Sequence, residues 1–250
     1  MTISIAITGK SGSGKTTVLK ALLKNLKEQN PGKSFLLVDN DLSCELGHSF
    51  GHDVRDTVYG IRSGKHEYKT GIPSQMTRQE YIEWALQDII FELDEDIDLL
   101  VTWLVGSKDC RCPITSQIND ALLRLFKGYD FIIFDCEFDL KYLYQLVDYH
   151  IDATMIVAEA TDESLHLASR VMESSEKYAV GGQLGLVINK AKNGSLSEHV
   201  ITLLNKYDLN LLGVLPYDTQ LETNGVRKDS DLLNESIKEI LFRLNLPKAK

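Results

Sequence analysis

Apolar positions along the chain fall into two patterns that take turns. Short runs rich in β-branched and aromatic residues span Ile3–Thr8, Ser34–Asp39, Leu99–Val105, Phe131–Asp135, Ala153–Ala158, Leu184–Ile188 and Leu211–Leu215. Such runs predict buried strands of a parallel sheet. Between them, apolar residues recur every third or fourth position over Thr17–Gln29, Tyr81–Leu93, the stretch after Pro113 to Lys127, Glu163–Tyr178, Ser197–Tyr207 and Leu232–Leu244. That period predicts amphipathic helices, so Tyr81, Ile82, Ala85, Leu86, Ile89, Ile90 and Leu93 are expected on one helix face. Strands alternating with helices predict an α/β fold, a mostly parallel twisted sheet with helices on both faces. A length of 250 residues suits one domain spanning 1–250. Gly47, Gly51, Gly60, Gly64, Gly71 and Pro73 interrupt both patterns. A short helix near Arg55–Ile61 is expected there, within a mobile insertion over about 47–80.

The first strand runs into Gly9-Lys10-Ser11-Gly12-Ser13-Gly14-Lys15-Thr16, which fits G-x-x-x-x-G-K-[ST] in the strand-to-helix setting where that spacing has physical meaning. Glycines let backbone N–H groups turn around phosphate oxygens, Lys15 supplies a cation for the β- and γ-phosphates, and Thr16 offers its hydroxyl to Mg²⁺. Gly9 through Thr16, with Thr17, are the expected nucleotide-binding residues. Lys10 cannot easily fold back onto its own phosphates. It resembles the signature lysine of the deviant Walker A class of P-loop NTPases (the SIMIBI type), which includes the MinD, ParA, ArsA and nitrogenase iron-protein families. That resemblance implies an ATP-dependent homodimer in which Lys10 reaches the partner's nucleotide, and slow ATP hydrolysis with Lys10 and Lys15 as catalytic cations.

Asp39-Asn40-Asp41 closes the second strand and Asp135 the fourth, at the sheet edge where α/β folds place ligands. In the families just named an Asp-x-Asp here serves the metal and the attacking water. The match assigns Asp41 to the water and Asp39, with Asp135 and Thr16, to the Mg²⁺ side. Asn189-Lys190 follows the sixth strand, where relatives turn the asparagine to the base. Lys192 stands where a guanine site would need a carboxylate, which favours adenine, with Pro216-Tyr217 as a second loop on the base side.

Cys110-Arg111-Cys112-Pro113 lies just before a helix. In extended backbone, residues i and i+2 face one side, so Cys110 and Cys112 can present both sulfurs to one object. Pro113 suits a first helical turn, whose positive end favours thiolate. Two thiolates are half a tetrahedral soft-metal site, and a two-fold dimer would supply four. Lys10, Asp39-x-Asp41 and Cys110-x-Cys112-Pro113 together resemble the CooC-type ATPases that mature carbon monoxide dehydrogenase. This resemblance covers essentially the whole chain and implies nickel or zinc held between two subunits, with an apo metalloenzyme as client. The chain departs from the wider pattern at Ser11, Ser13, Leu42-Ser43 and Phe138, the last where a γ-phosphate-sensing glycine is usual. These departures bear on switching and hydrolysis rate more than on binding.

Composition narrows the picture further. A net charge of −9 disfavours a broad nucleic-acid face. The chain enters its first strand without a leader-like segment and has no apolar run of membrane-spanning length, so a cytoplasmic protein without membrane attachment is expected. Cys44, Cys110, Cys112 and Cys136 are too few for a disulfide scaffold and are expected as thiols or ligands. His48 and His52 are four apart, as metal ligands on a helix would be, but the flanking glycines argue against that helix. The last helix is expected to pack on the sheet, with a MinD-like membrane-targeting role as the alternative. Three functions share this machinery: an ATP-driven metallochaperone, favoured here; an iron–sulfur ATPase of the nitrogenase-iron-protein kind; and a positioning ATPase of the MinD/ParA kind.

Overall fold

A computed structural model of the chain describes residues 1–41, 44–63, 71–102, 113–137, 149–177, 182–217 and 231–247. Among these, eight strands form one sheet: β1 (Ile3–Gly9), β2 (Phe35–Asn40), β3 (Phe91–Asp94), β4 (Ile97–Val101), β5 (Phe131–Cys136), β6 (Ala153–Glu159), β7 (Gln183–Ala191) and β8 (Leu211–Pro216). Their order is β3-β4-β2-β5-β1-β6-β7-β8. Every pairing is parallel except β3 with β4.

Side chains alternate across each strand, and that parity sorts the core into two layers. Ile3, Ile5 and Ile7 of β1, with Phe35 and Leu37 of β2 and Phe131 and Ile133 of β5, point to the side covered by α1 (Lys15–Gln29) and the C-terminal helix Asp231–Leu244. Ala6, Leu36, Val38, Ile132 and Phe134 point the other way. There they meet Val58 and Ile61 of α3 (Val58–Ser63), Ile82, Ala85 and Leu86 of α4 (Arg78–Asp88), and Ile118, Leu122 and Phe126 of α5 (Pro113–Phe126). On that same side α6 (Asp162–Glu176) and α7 (Glu198–Lys206) cover β6 and β7. With α2 (Glu45–Ser49) in place, the C-terminal helix is α8 (Asp231–Leu244). Its Leu233, Ile237, Ile240, Leu241 and Leu244 are buried against β8 and α1, as the periodicity predicts. Among the described residues no helix is long and apolar enough to cross a membrane.

The expected helix over Tyr81–Leu93 is corrected. α4 begins at a capping box, Thr77 accepting from the Glu80 N–H at 3.2 Å, and ends at Asp88. Phe91–Asp94 is instead an edge strand, antiparallel to β4, with Phe91 opposite Leu99. Ile82, Ala85, Leu86 and Ile89 pack on the α5 side, whereas Phe91 and Leu93 pack on the α1 side. A continuous helix could not serve both. The third predicted strand begins earlier, at Ile97, and ends at Val101; residues 103–105 lie outside the described residues. The short helix predicted near Arg55–Ile61 starts at Val58, and α2 was not predicted.

Candidate phosphate-binding site

The loop between β1 and α1 sits at the middle of the sheet, at the C-terminal ends of its strands. Two glycines show why no other residue fits. Gly9 has φ 146°, and a Cβ there would stand 2.2 Å from the Val157 carbonyl oxygen of β6. Gly14 has φ 95°, and a Cβ there would stand 2.2 Å from Nδ2 of Asn189. The loop is therefore seated directly against β6 and β7. Gly14 is the N-cap of α1, so Lys15 and Thr16 open that helix at its positive end.

Register delivers the carboxylates. Asp39 and Asp135 are Cα partners in the β2–β5 ladder, four residues beyond the stacked pair Phe35 and Phe131, whose rings lie 4.9 Å apart. Because parity is kept along both strands, the two aspartates face the α1 side, as Phe35 and Phe131 do. Asp135 Oδ2 accepts from the Thr16 hydroxyl at 3.4 Å. Asp39 accepts from the backbone N–H of Asp41 at 3.1 Å and of Leu46 at 3.0 Å. The Lys15 side chain is 7% exposed, and its Nζ lies 3.8 Å from Asp41 Oδ2. Burial raises both buried carboxyls: Asp39 to about 6, against the two backbone bonds that pull it down, and Asp135 to about 7, with Asp39 adding to the rise and Lys15 opposing it.

This donor set fits a magnesium-bound nucleotide. Asp135 Oδ1 is buried with no hydrogen-bond partner among the described residues, on the carboxyl group whose Oδ2 accepts from the Thr16 hydroxyl. Among the described residues no three His, Cys, Asp or Glu side chains form a metal-binding group. A Mg²⁺ here would therefore lean on Thr16, the carboxylates and phosphate oxygens, which is how Mg²⁺ is ordinarily held beside phosphates.

The remaining predicted residues divide. Lys10 points away from its own loop, its Nζ 2.6 Å from Glu163 Oε1 in the first turn of α6. Asn189 and Lys190 close β7 behind the loop, where Asn189 Nδ2 donates to Ser13 O at 2.8 Å and Lys190 Nζ to Gly12 O at 2.7 Å. Pro216 ends β8 opposite Ala191, and Tyr217, 41% exposed, bonds through its N–H to the Ala191 carbonyl at 2.9 Å. Cys110, Cys112 and Phe138 lie outside the described residues. Cys136 is fully buried at the end of β5, in the layer formed with α4 and α5, and burial pushes its thiol well above the usual range. His48 ends in α2 while His52 lies beyond it, beside Phe91, so the two do not share a helix face. Sequence reasoning missed Glu159 and Glu163, which hold Lys190 and Lys10; an acidic residue at the end of β6 and another in the first turn of α6 were the available signal.

A family model described as the CobQ/CobB/MinD/ParA nucleotide-binding domain matches residues 4–232. The chain belongs to this family. Two uncharacterised ATP-binding proteins of Methanocaldococcus jannaschii are similar along most of their length. One is 29% identical over 220 residues, covering 87% of this chain and 85% of the relative. The other is 28% identical over 246 residues, covering 95% of each. Among solved structures, the septum site-determining protein MinD of Pyrococcus horikoshii complexed with Mg-ADP superposes with a TM-score of 0.66 at 20% identity, covering 98% of this chain and 96% of that one. A ParA family ATPase of Chlorobium tepidum gives 0.65 at 15% identity, covering 98% of both. These likenesses establish a MinD/ParA-type P-loop NTPase fold, with its eight-stranded, mostly parallel sheet.

Proposed function

We propose that the chain is an ATP-driven switch: it binds Mg-ATP in the Gly9–Thr16 loop, dimerises on the nucleotide and hydrolyses it slowly. The observation that carries this reading is the convergence of Lys15, Thr16, Asp39, Asp41 and Asp135 at the loop between β1 and α1. The Methanocaldococcus relatives are named as ATP-binding, and the Pyrococcus MinD was solved with Mg-ADP, which supports the choice of nucleotide. In this reading Lys15 exchanges Asp41 for the β- and γ-phosphates. Asp41 then orients the attacking water. Thr16 and Asp135, with Asp39 behind them, would hold Mg²⁺, whose chemistry is to neutralise phosphate charge. Lys10 leaves Glu163 to reach the partner's nucleotide.

Within the family we propose a metallochaperone of the CooC type. Cys110 and Cys112 from two subunits would hold one Ni²⁺ or Zn²⁺, and hydrolysis would split the four thiolates two and two for delivery to an apo metalloenzyme such as carbon monoxide dehydrogenase. The support is the Cys-x-Cys-Pro sequence before α5, which a positioning ATPase leaves unexplained. An iron–sulfur ATPase would need a second, separated cysteine near the axis, and buried Cys136 is a poor candidate. Anaerobic titration of the full chain with Ni²⁺ and Zn²⁺ plus Mg-ATP tests this. One metal per dimer, lost in Cys110→Ser/Cys112→Ser, is the expected result. ATP-dependent dimers indifferent to metal and to both cysteines would favour the positioning reading, and iron with sulfide would favour the redox one.

A further inference from the structure

Behind the carboxylates, on the opposite face of the sheet, lie three buried side chains that the nucleotide reading does not use: Asn40, Thr102 and Cys136. Parity turns Asn40 away from its neighbour Asp39 and toward the side covered by α4 and α5, where Val38 and Cys136 also pack. The Thr102 hydroxyl lies 2.7 Å from Asn40 Oδ1 and 3.0 Å from the Asp39 carbonyl oxygen, and the Thr102 N–H donates to that same carbonyl at 2.9 Å. The Asn40 amide also bonds the side chain of Cys136, its register partner in β5. Asn40 thus ties the ends of β4, β2 and β5 together one position beyond the Asp39–Asp135 pair. A buried amide and hydroxyl cost desolvation unless they bond, and the bonds they form have directions that apolar packing lacks. Here those directions converge on the Asp39–Asn40 peptide, held through its carbonyl directly before the chain reaches Asp41.

We infer that Asn40 and Thr102 are positioning residues for ATP hydrolysis: they clamp the Asp39–Asn40 peptide from the back of the sheet and so hold Asp39 and Asp41 in line with Lys15 and the phosphate loop. The inference rests on the nucleotide-binding reading above, in which Asp41 orients the attacking water. Both side chains face away from α1 and its loop, so their loss slows turnover without weakening the binding of ATP.

The test uses the full chain as wild type, Asn40→Leu, Thr102→Val and Thr102→Ser, with two readouts. The first is amide hydrogen exchange at Asp41 and Leu46 in the nucleotide-free chain, since Asp39 accepts from both N–H groups. Exchange there is expected to quicken in Asn40→Leu and Thr102→Val and to return toward wild type in Thr102→Ser, which keeps the hydroxyl. The second is ATP turnover, counted per site titrated with the non-hydrolysable analogue Mg-AMPPNP, so that a loss of folded protein does not register. Asn40→Leu and Thr102→Val are expected to lower kcat per site roughly ten- to hundredfold, with KM for Mg-ATP little changed. Thr102→Ser is expected to recover most of that rate. Unchanged exchange, unchanged kcat per site, a loss confined to KM, or a Thr102→Ser variant as slow as Thr102→Val overturns the inference. If wild type does not turn over Mg-ATP, the nucleotide reading fails by itself. The exchange readout alone then decides, faster exchange in both variants with recovery in Thr102→Ser upholding the clamp and unchanged exchange overturning it.

Discussion

Asp39 and Asp135 illustrate how a ligand site is stored in a fold before the ligand arrives. Each ends a strand at the crevice, which is visible in the sequence, but only the β2–β5 register makes them Cα partners, and register is a property of the assembled sheet. Burial raises Asp39 to about 6, and burial with the charge of Asp39 beside it raises Asp135 to about 7. The folded chain thus holds these protons more tightly than the unfolded chain does. Their contribution to stability is full below the ordinary carboxylate range near 4 and is lost as pH rises through about 6 to 7. Asp135→Asn removes the larger share of that loss. The nucleotide-free variant should melt above wild type at pH 8, by roughly 2–4 °C for each kcal/mol recovered, with the gap closing toward pH 5. Thermal melts across that range check it, and a variant melting at or below wild type at pH 8 would show that the pair carries no such cost. Lys15, Thr16 and the loop glycines were legible from spacing alone. Asn189 and Lys190 were legible as candidate site residues, but their contacts with the loop were not, because what they touch is 176 and 178 residues away in the chain.

Most strands and helices followed from periodicity because a buried parallel strand and an amphipathic helix differ in length and period. The exception was the segment after α4. Leu86, Ile89, Ile90 and Leu93 keep a helical spacing, yet Ile89 lies with the α4–α5 layer and Leu93 with the α1 layer on the opposite side of the sheet. Spacing within one segment cannot report a change of layer. The two positions should therefore respond differently to truncation. Leu86, 1% exposed in the core, should lose about 2–5 kcal/mol as Leu86→Ala, a fall on the order of 5–15 °C. Leu93, half-buried on an edge strand, should lose less than half of that as Leu93→Ala. Equal losses in denaturant or thermal melts would contradict the edge-strand assignment. The cysteine pair stands apart from this comparison: its chemistry was read from sequence, and residues 103–112 lie outside the described residues.

The whole molecule is a sheet that brings β1, β5, β2, β6 and β7 to one crevice, with the phosphate loop seated over β6 and β7 and the carboxylates beside it. That arrangement was foreseeable from strand–helix alternation and the position of the loop motif, since parallel sheets gather their strand ends on one side. Association was not foreseeable from composition, and a single residue bears on it. Lys10 is half-exposed and directed at Glu163 on α6, so it is available to a second subunit only once that pair opens. ATP is expected to drive the chain into a dimer through Lys10, which molar mass by light scattering with and without Mg-ATP tests for wild type, Lys10→Ala and Lys15→Ala. Wild type is expected to double its mass on ATP, Lys10→Ala to bind ATP yet stay monomeric, and Lys15→Ala neither to bind ATP nor to dimerise. A wild type of unchanged mass, or a Lys10→Ala variant that dimerises as wild type does, would contradict it.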